Sequence, residues 1–125
     1  MIPKVKLGGI YVIEHRGGGV YIGCSCDIMS RWQSHYSMMK MGTHTSTGLM
    51  ELFNRTTIDE WTFKVLEYIS KSKIKMETGL RGKALDKVYR NILYIKEKEW
   101  MAKYDVSISL NKNNKAFDGK DNKRK

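Results

Sequence analysis

Two short runs of strand-forming residues on either side of a glycine cluster constrain the fold of this chain most strongly. The first run covers residues 8–13, the second covers residues 20–23, and residues 17–19 between them are all glycine. β-branched and aromatic residues favour strands and glycines favour tight turns, so the pattern predicts a β-hairpin. Tyr11 and Tyr21 can then lie on one face of the hairpin, although a turn with three glycines leaves the strand register open.

Helical patterns follow the hairpin. Asp27 is a suitable N-cap for a helix from residue 28 to about residue 40, and Gly42 is a suitable end for it. A shorter helix is expected from near residue 46 to residue 53. A long helix is expected from about residue 84 to residue 103, because apolar residues recur there with helical spacing. The apolar residues of this stripe are Leu85, Val88, Tyr89, Ile92, Leu93 and Trp100.

An extended segment lies between the shorter helices and the long one. Residues from about 60 to 69 alternate with a period of two, which is typical of a strand. The residues expected on one face are Trp61, Phe63, Val65 and Glu67. Residues 70–83 contain four lysines, one arginine and two glycines, so we expect a basic surface loop with room for a single helical turn. The order β-β-α-α-β-α predicts an α+β fold, a small three-stranded antiparallel sheet flanked by helices.

Length and charge limit the class of protein. The 125 residues fit one domain, which we assign to residues 1–111, followed by a flexible basic C-terminal arm at residues 112–125. Lys and Arg number 23 against 13 Asp and Glu, an excess that favours a polyanionic partner and above all nucleic acid. No apolar run approaches the roughly 20 residues that span a bilayer, and residues 1–4 lack the apolar core of a signal peptide. We therefore expect a cytoplasmic protein with no membrane partner.

The two cysteines, Cys24 and Cys26, are too few for a disulfide framework or for a complete zinc site. We expect both to be reduced and buried, and to behave as small apolar residues.

A set of short motifs resembles the GIY-YIG nuclease family. The name-giving tripeptides are Gly9-Ile10-Tyr11 and Tyr21-Ile22-Gly23. The match continues through Arg31-Trp32-x-x-His35 and Gly42-x-His44, and it is most similar to the catalytic domain of phage intron-encoded homing endonucleases. Further along the chain, Glu97-x-x-Trp100-Met101 and Leu110-Asn111 stand where the family has a metal-binding glutamate and a conserved asparagine.

The resemblance implies roles for several residues of a hydrolytic site. Tyr11 would be the general base or a hydroxyl that positions the base, and Tyr21 would orient water or phosphate. Arg31 suits a phosphate with developing charge, because its planar guanidinium binds two oxygens at once. His35 lies four residues after Arg31 and hence on the same helical face, and the resemblance gives His35 and His44 supporting roles in catalysis or substrate positioning.

The same resemblance implies one divalent ion, Mg²⁺ or Mn²⁺, bound to Glu97 as the sole protein carboxylate, with water and phosphate as the other ligands. Periodicity alone does not distinguish Glu97 from Glu99, because residues 96–99 also resemble an ordinary charged helical face. The spacing to Trp100 and the face shared with Leu93 favour Glu97. Asn111 would bind near the phosphate or brace the site, or it would simply turn the chain.

These expectations combine into a metal-dependent DNA endonuclease, a stand-alone enzyme of phage or mobile-element type with modest sequence specificity. Its substrate would be double-stranded DNA, and a homodimer or a partner protein would add specificity. The residues expected to contact the DNA backbone are Lys71, Lys73, Lys75, Arg81 and Lys83. The alternatives are a restriction nuclease, a structure-specific repair nuclease, or a non-catalytic accessory protein that binds nucleic acid. The last of these predicts loss of catalytic residues, and the chain retains all of them.

Overall fold

The computed structural model describes residues 7–105 and 108–111, so the predicted arm at residues 112–125 lies outside the described residues. In chain order the elements are β1 (Gly9–His15), β2 (Val20–Ser25), α1 (Ile28–Met41), α2 (Thr47–Phe53), a short 3₁₀ helix (Ile58–Glu60), β3 (Trp61–Tyr68), α3 (Lys71–Thr78) and α4 (Gly82–Met101). The predicted α+β fold is confirmed, and it contains one α-helix more than the sequence indicated.

The sheet has the strand order β2-β1-β3, and both pairs are antiparallel. In the predicted hairpin Tyr11 pairs with Gly23, and Ile13 pairs with Tyr21. These pairs give the strand register, which the glycine-rich turn had left undetermined. Tyr11 and Tyr21 are diagonal neighbours on the same face, because partners in a ladder point the same way and side chains alternate along each strand.

A β-bulge lies where β1 pairs with β3. Ile10 pairs with Glu67 but the next residue, Tyr11, pairs with Val65, so β3 carries one extra residue at this point. The extra residue reverses the alternation of faces along β3. The expectation that Glu67 shares a face with Trp61 is therefore wrong, and the Glu67 carboxylate instead accepts a hydrogen bond from Trp100 Nε1 of α4 at 2.9 Å.

Each face of the sheet has its own hydrophobic core. The core on the α4 face contains Ile10, Val12, Val20, Ile22, Ile74, Leu85, Tyr89 and Leu93. The core on the α1 face contains Tyr11, Ile13, Ile28, Met39, Leu49, Met50 and Trp61. Since consecutive residues of β1 alternate between the two cores, β1 is buried on both faces and anchors the helices on either side.

The ends of the first two helices follow local sequence signals. The Asp27 side chain accepts a hydrogen bond from the Ser30 N–H and caps α1, which ends at Gly42 with a φ of 75°. The Ser46 side chain accepts from the Leu49 N–H and caps α2. Capping of this kind satisfies backbone groups that the first and last helical turns leave unpaired.

The segment expected to be a basic loop forms the helix α3, so that expectation is wrong. The Ser70 side chain accepts a hydrogen bond from the Lys73 N–H, and Gly79 ends the helix with a φ of 75°. Ile74 is the one residue of α3 that is buried. A helix held by its two caps and one apolar contact has too little periodicity to be recognised from sequence.

The long helix α4 has the predicted apolar stripe, and its buried residues are Leu85, Tyr89 and Leu93. Leu85 and Tyr89 are four residues apart, as are Tyr89 and Leu93, so one face packs on the sheet and the opposite side is exposed. None of the helices that the structure describes is long and apolar enough to cross a membrane.

Candidate active site

A cleft of about 550 Å³ lies at the β2 edge of the sheet, between α1 and α4. Of the predicted catalytic residues, Tyr11, Tyr21, Arg31 and Glu97 line this cleft. Tyr11 belongs to the core on the α1 face, whereas Glu97 comes from the helix that covers the other face. The edge of β2 is therefore the place where side chains from the two sides of the sheet can meet.

A chain of hydrogen bonds runs behind the Tyr11 hydroxyl. The Ser46 backbone N–H donates to His44 Nδ1 at 3.0 Å, His44 Nε2 lies 2.6 Å from His35 Nδ1, and His35 Nε2 lies 2.6 Å from the Tyr11 hydroxyl. A backbone N–H can only donate, so the neutral His44 ring carries its proton on Nε2. That proton is donated to His35 Nδ1, and His35 in turn donates its Nε2–H to the Tyr11 oxygen.

Burial keeps the two histidines of this hydrogen-bond chain uncharged. His35 is fully buried and His44 is 7% exposed. Burial lowers the pKa of His35 to about 3, with a further lowering from His44 and Arg31, and it lowers the pKa of His44 to about 4. Both rings are therefore neutral near pH 7. His35 is not free to take the Tyr11 proton, because the nitrogen that faces Tyr11 already carries one.

Arg31 and His35 both reach Tyr11 from α1, as their four-residue spacing suggests. Arg31 is exposed and hydrogen-bonds the Tyr11 side chain. Burial and the neighbouring Tyr21 raise the pKa of Tyr11, whereas Arg31 works against this rise. Two N–H donors thus face the Tyr11 oxygen, an arrangement that favours a phenolate more than burial alone would allow.

Tyr21 is the second aromatic wall of the cleft. Its ring packs edge-on against His35 and His44, with centroid distances of 5.3 Å in both cases. The two imidazole rings stack on each other at 4.8 Å. Burial raises the pKa of Tyr21, Arg31 lowers it and Glu97 raises it, so the hydroxyl lies within the fields of both charged groups.

Close approach explains both glycines of the tripeptide motifs. A Cβ on Gly23 would overlap the Tyr11 hydroxyl, which lies across the ladder from it. A Cβ on Gly9 would overlap the backbone carbonyl of Glu67 at the bulge. Gly23 therefore makes room for the Tyr11 side chain, and Gly9 lets β3 approach β1 closely.

Glu97 is a carboxylate without a cationic partner. No described Lys, Arg or His nitrogen lies within 4.0 Å of it, and its hydrogen-bond partner is the Cys24 thiol. Burial raises the pKa of Glu97, and the Cys24 contact and Lys98 oppose this rise. Glu99, in contrast, does not line the cleft, and its side chain is 57% exposed beside Lys96 at 3.7 Å.

The cysteines depart from expectation in one respect. Both are free thiols, but Cys24 is only half-buried and Cys26 is exposed, so the expectation that both are buried is wrong. Both line the cleft. Burial and the nearby Glu97 raise the pKa of Cys24 to about 12, which keeps it a thiol that donates to the carboxylate.

The side chains that line the cleft suit binding of a hard divalent cation such as Mg²⁺ better than binding of zinc. Within residues 7–105 and 108–111, no three His, Cys, Asp or Glu side chains are arranged to hold a metal ion. Zinc sites take at least three protein ligands, whereas Mg²⁺ is commonly held by one or two carboxylates and completes its shell with water and substrate phosphates. Glu97, which faces the cleft and has no cationic partner among the described residues, fits the second case.

Asn111 lies away from the cleft. Its Oδ1 accepts from the Ile22 N–H at 2.9 Å, and its Nδ2 donates to the Ile22 carbonyl at 2.7 Å. The carbonyl of the preceding residue, Leu110, accepts a hydrogen bond from the Ser46 hydroxyl. The chain around Asn111 thus connects β2, which carries Tyr21, with the residue whose backbone orients His44.

The basic residues expected to contact DNA are spread over α3 and the start of α4. Among Lys71, Lys73, Lys75, Arg81 and Lys83, the one that lines the cleft is Lys71. Lys71 forms a close ion pair with Asp86. The cleft is also lined by Arg90 and Tyr94, which the sequence interpretation missed. Their spacing was the available signal, because Arg90, Tyr94 and Glu97 recur at intervals of four and three residues on one helical face.

Comparison with known proteins agrees with the geometry. The sequence profile of the GIY-YIG catalytic domain matches residues 7–90, more than half of the chain. The chain belongs to the GIY-YIG family. Two solved structures are similar to it: the catalytic domain of homing endonuclease I-TevI, and a variant of the catalytic domain of intron endonuclease I-TevI. The first has a TM-score of 0.61 and 23% identity over 88% of this chain and 99% of that chain. The second has a TM-score of 0.62 and 23% identity over 86% and 92%.

The comparison with curated protein sequences gives no significant match. Members of the GIY-YIG family are nucleases that hydrolyse phosphodiester bonds, and they are generally dependent on divalent metal ions. The profile match includes both tripeptides, Arg31, His35 and His44, and it ends before Glu97. The case for Glu97 in this GIY-YIG domain therefore rests on the cleft it shares with Tyr11.

Proposed function

We propose that this GIY-YIG enzyme is an endonuclease that cuts the backbone of double-stranded DNA with one divalent ion, Mg²⁺ or Mn²⁺, held by Glu97. The observation that carries the proposal is the convergence of Tyr11 and Glu97 on one cleft, although they come from opposite sides of the sheet. A proton acceptor and a metal-binding carboxylate facing a common space are the two groups that phosphodiester hydrolysis requires of a single-metal site.

Glu97 supports the metal part of the proposal. A half-buried carboxylate without a cationic partner is costly, and a bound cation would remove that cost. When bound, the ion would polarise the scissile phosphate and neutralise charge on the leaving oxygen. The Cys24 thiol, which hydrogen-bonds Glu97, would hold the carboxylate in place.

Tyr11 supports the proton-transfer part. Because burial raises its pKa, Tyr11 rests as a neutral phenol. Its proton would first leave to solvent, and the phenolate would then accept a proton from the attacking water and return to the neutral phenol. The Nε2–H of His35 and the guanidinium of Arg31 both face its oxygen and would stabilise the phenolate. Since His35 is already protonated on that nitrogen, we assign His35 and His44 to positioning and polarising Tyr11, not to removing its proton.

Arg31 and Tyr21 would act on the phosphate. Arg31 lines the cleft and has no described carboxylate within 4.0 Å, so its remaining N–H groups are available to phosphate oxygens. Tyr21, held edge-on by the two imidazoles, would orient the attacking water or the phosphate through its hydroxyl.

DNA as the substrate rests on charge. The excess of 23 basic over 13 acidic residues favours a polyanion, and such binding relies on phosphate contacts that carry little sequence information. We therefore propose that the enzyme has a modest sequence preference. We also propose that it originates in a phage or mobile element and acts in the cytoplasm. A second copy of the chain or a partner protein would add specificity.

The proposal can be tested by nicking of supercoiled plasmid in Mg²⁺ or Mn²⁺, with EDTA as a control. Glu97→Gln, which keeps the shape of the side chain, should abolish cleavage. Glu99→Gln is the matched control two residues away on the exposed side, and it should cleave like the wild type. Cleavage that survives both EDTA and Glu97→Gln would refute the single-metal site.

A second pair of variants tests the proton acceptor. Tyr11→Phe should lower the cleavage rate by about 10²-fold to 10⁴-fold, the usual contribution of a general base. Tyr36→Phe, at a tyrosine that is 39% exposed on α1, should leave the rate unchanged. If the wild type binds plasmid, branched and single-stranded DNA without cutting any of them, the protein is an accessory binding protein and the proposal fails.

A further inference from the structure

The α4 wall of the cleft carries an arginine and a large exposed aromatic residue, Arg90 and Tyr94, that no step of the proposed reaction uses. Arg90 is exposed, and Tyr94 is 50% exposed although it is a large aromatic residue. Exposed arginine and tyrosine beside a catalytic cleft are the residue types that bind phosphate and stack on nucleotides. Their position therefore calls for an explanation in terms of the substrate.

The geometry of the helix fixes their relation to Glu97. Arg90, Tyr94 and Glu97 are separated by four and three residues, so they lie in a row along one face. Arg90 is seven residues from Glu97, which corresponds to an offset of about 10 Å along the helix axis. A phosphate at the metal site would be held at the Glu97 end of this row, and Arg90 would lie beside a different phosphate.

The charges of the cleft single out Arg90. The two other cationic side chains that line it are Arg31, which contacts Tyr11, and Lys71, which is paired with Asp86. Arg90 has no carboxylate within 4.0 Å among the described residues. Asp86 lies one helical turn before Arg90 and within its field, but its ion pair is with Lys71, so the N–H groups of the Arg90 guanidinium are available to an incoming anion.

We propose that α4 carries a subsite for a nucleotide flanking the scissile phosphate, in which Arg90 binds the flanking phosphate and Tyr94 packs against the sugar or base of that nucleotide. This inference rests on the proposed function, because it takes the substrate to be DNA. It also revises the expected DNA contact: the principal cation is on α4, whereas Lys71 of α3 is held by an ion pair.

The test measures binding separately from cleavage. Binding of the full-length protein to a short DNA duplex is followed by fluorescence anisotropy in EDTA over a series of salt concentrations. Arg90→Ala should weaken binding by about tenfold and reduce the slope of log affinity against log salt by about 1, the loss of one phosphate contact. Lys87→Ala, an exposed cation of α4 that does not line the cleft, is the matched control and should change neither quantity by as much.

The role of Tyr94 is tested with two substitutions. Tyr94→Ala should weaken binding by about fivefold or more without changing the salt slope, whereas Tyr94→Phe should bind like the wild type, because the ring and not the hydroxyl makes the contact. In plasmid cleavage, Arg90→Ala should raise KM and leave kcat nearly unchanged.

Three results would overturn the subsite. They are unchanged affinity in Arg90→Ala, weaker binding with an unchanged salt slope, and a fall in kcat at constant KM, which would place Arg90 at the scissile phosphate. Failure of the proposed function is distinguishable from all three. In that case the wild type does not cleave DNA, and a reduced salt slope in Arg90→Ala still supports the phosphate contact.

Discussion

The two neutral histidines behind Tyr11 should make the stability of this protein unusually sensitive to mild acid. Burial lowers the pKa of His35 to about 3 and that of His44 to about 4. As the pH falls below the ordinary histidine pKa of about 6.5, the unfolded chain binds protons that the folded chain does not. The stabilisation by the neutral rings is therefore complete above about pH 6.5 and is lost progressively on the way down to the folded pKa values.

The size of the effect follows from linkage. For each proton that only the unfolded chain binds, the free energy of unfolding falls by about 1.4 kcal/mol for every pH unit by which the pH is lowered. For two histidines over the roughly 1.5 pH units down to about pH 5, the loss is roughly 4 kcal/mol. Since small domains are stable by about 5–15 kcal/mol, this is a large fraction of the total.

Urea denaturation followed by tryptophan fluorescence, at several pH values from about 7.5 to about 5, measures this loss. His44→Gln removes one titrating ring and should reduce the slope of stability against pH by about 1.4 kcal/mol per pH unit. Ile13→Val is a control in the same core; it should lower stability by about 1 kcal/mol and keep the slope. Glu97, whose pKa is raised by burial, contributes a slope of opposite sign, but it is present in all three proteins. A wild type as stable at about pH 5 as at about pH 7, or a His44→Gln variant with the full slope, would refute this account of the hydrogen-bond chain.

Two further substitutions test the packing around the site. Gly23→Ala places a methyl group where the Tyr11 hydroxyl lies, so plasmid cleavage should fall by about 10²-fold or more while the circular dichroism spectrum stays unchanged. Gly48→Ala is the control and should remain active, because its new Cβ would lie 3.3 Å from the Leu110 carbonyl and away from Tyr11. If Gly23→Ala cleaves normally, Tyr11 does not need its observed position. Asn111→Ala removes both hydrogen bonds to Ile22 and should lower the free energy of unfolding, measured in urea, by about 1–3 kcal/mol. Asn91→Ala, at an exposed position of α4, is the control and should change that free energy by less than about 0.5 kcal/mol. Equal effects of the two asparagine variants would contradict the bracing role of Asn111.

Much of the fold follows from local signals. The hairpin, the cap at Asp27, the end of α1 at Gly42 and the apolar stripe of α4 all appear where the sequence predicts them. Each depends on the conformational preference or periodic spacing of residues close together in the chain. The helix α3 was missed because two caps and the contact of Ile74 stabilise it, and these leave no apolar period.

The sequence by itself determined the family, the α+β fold class and the residues to consider for the site, because the tripeptide spacing and the local propensities are properties of the chain alone. Only the tertiary structure decided how those residues act together. The register of the hairpin, the bulge beside Tyr11 and the direction of the hydrogen bonds from Ser46 to Tyr11 depend on contacts between residues far apart in sequence. The sequence favoured Glu97 over Glu99 through its spacing to Trp100, but only the packing of α4 against the sheet determines that Glu97 and Arg90 line the cleft and that Glu99 is exposed.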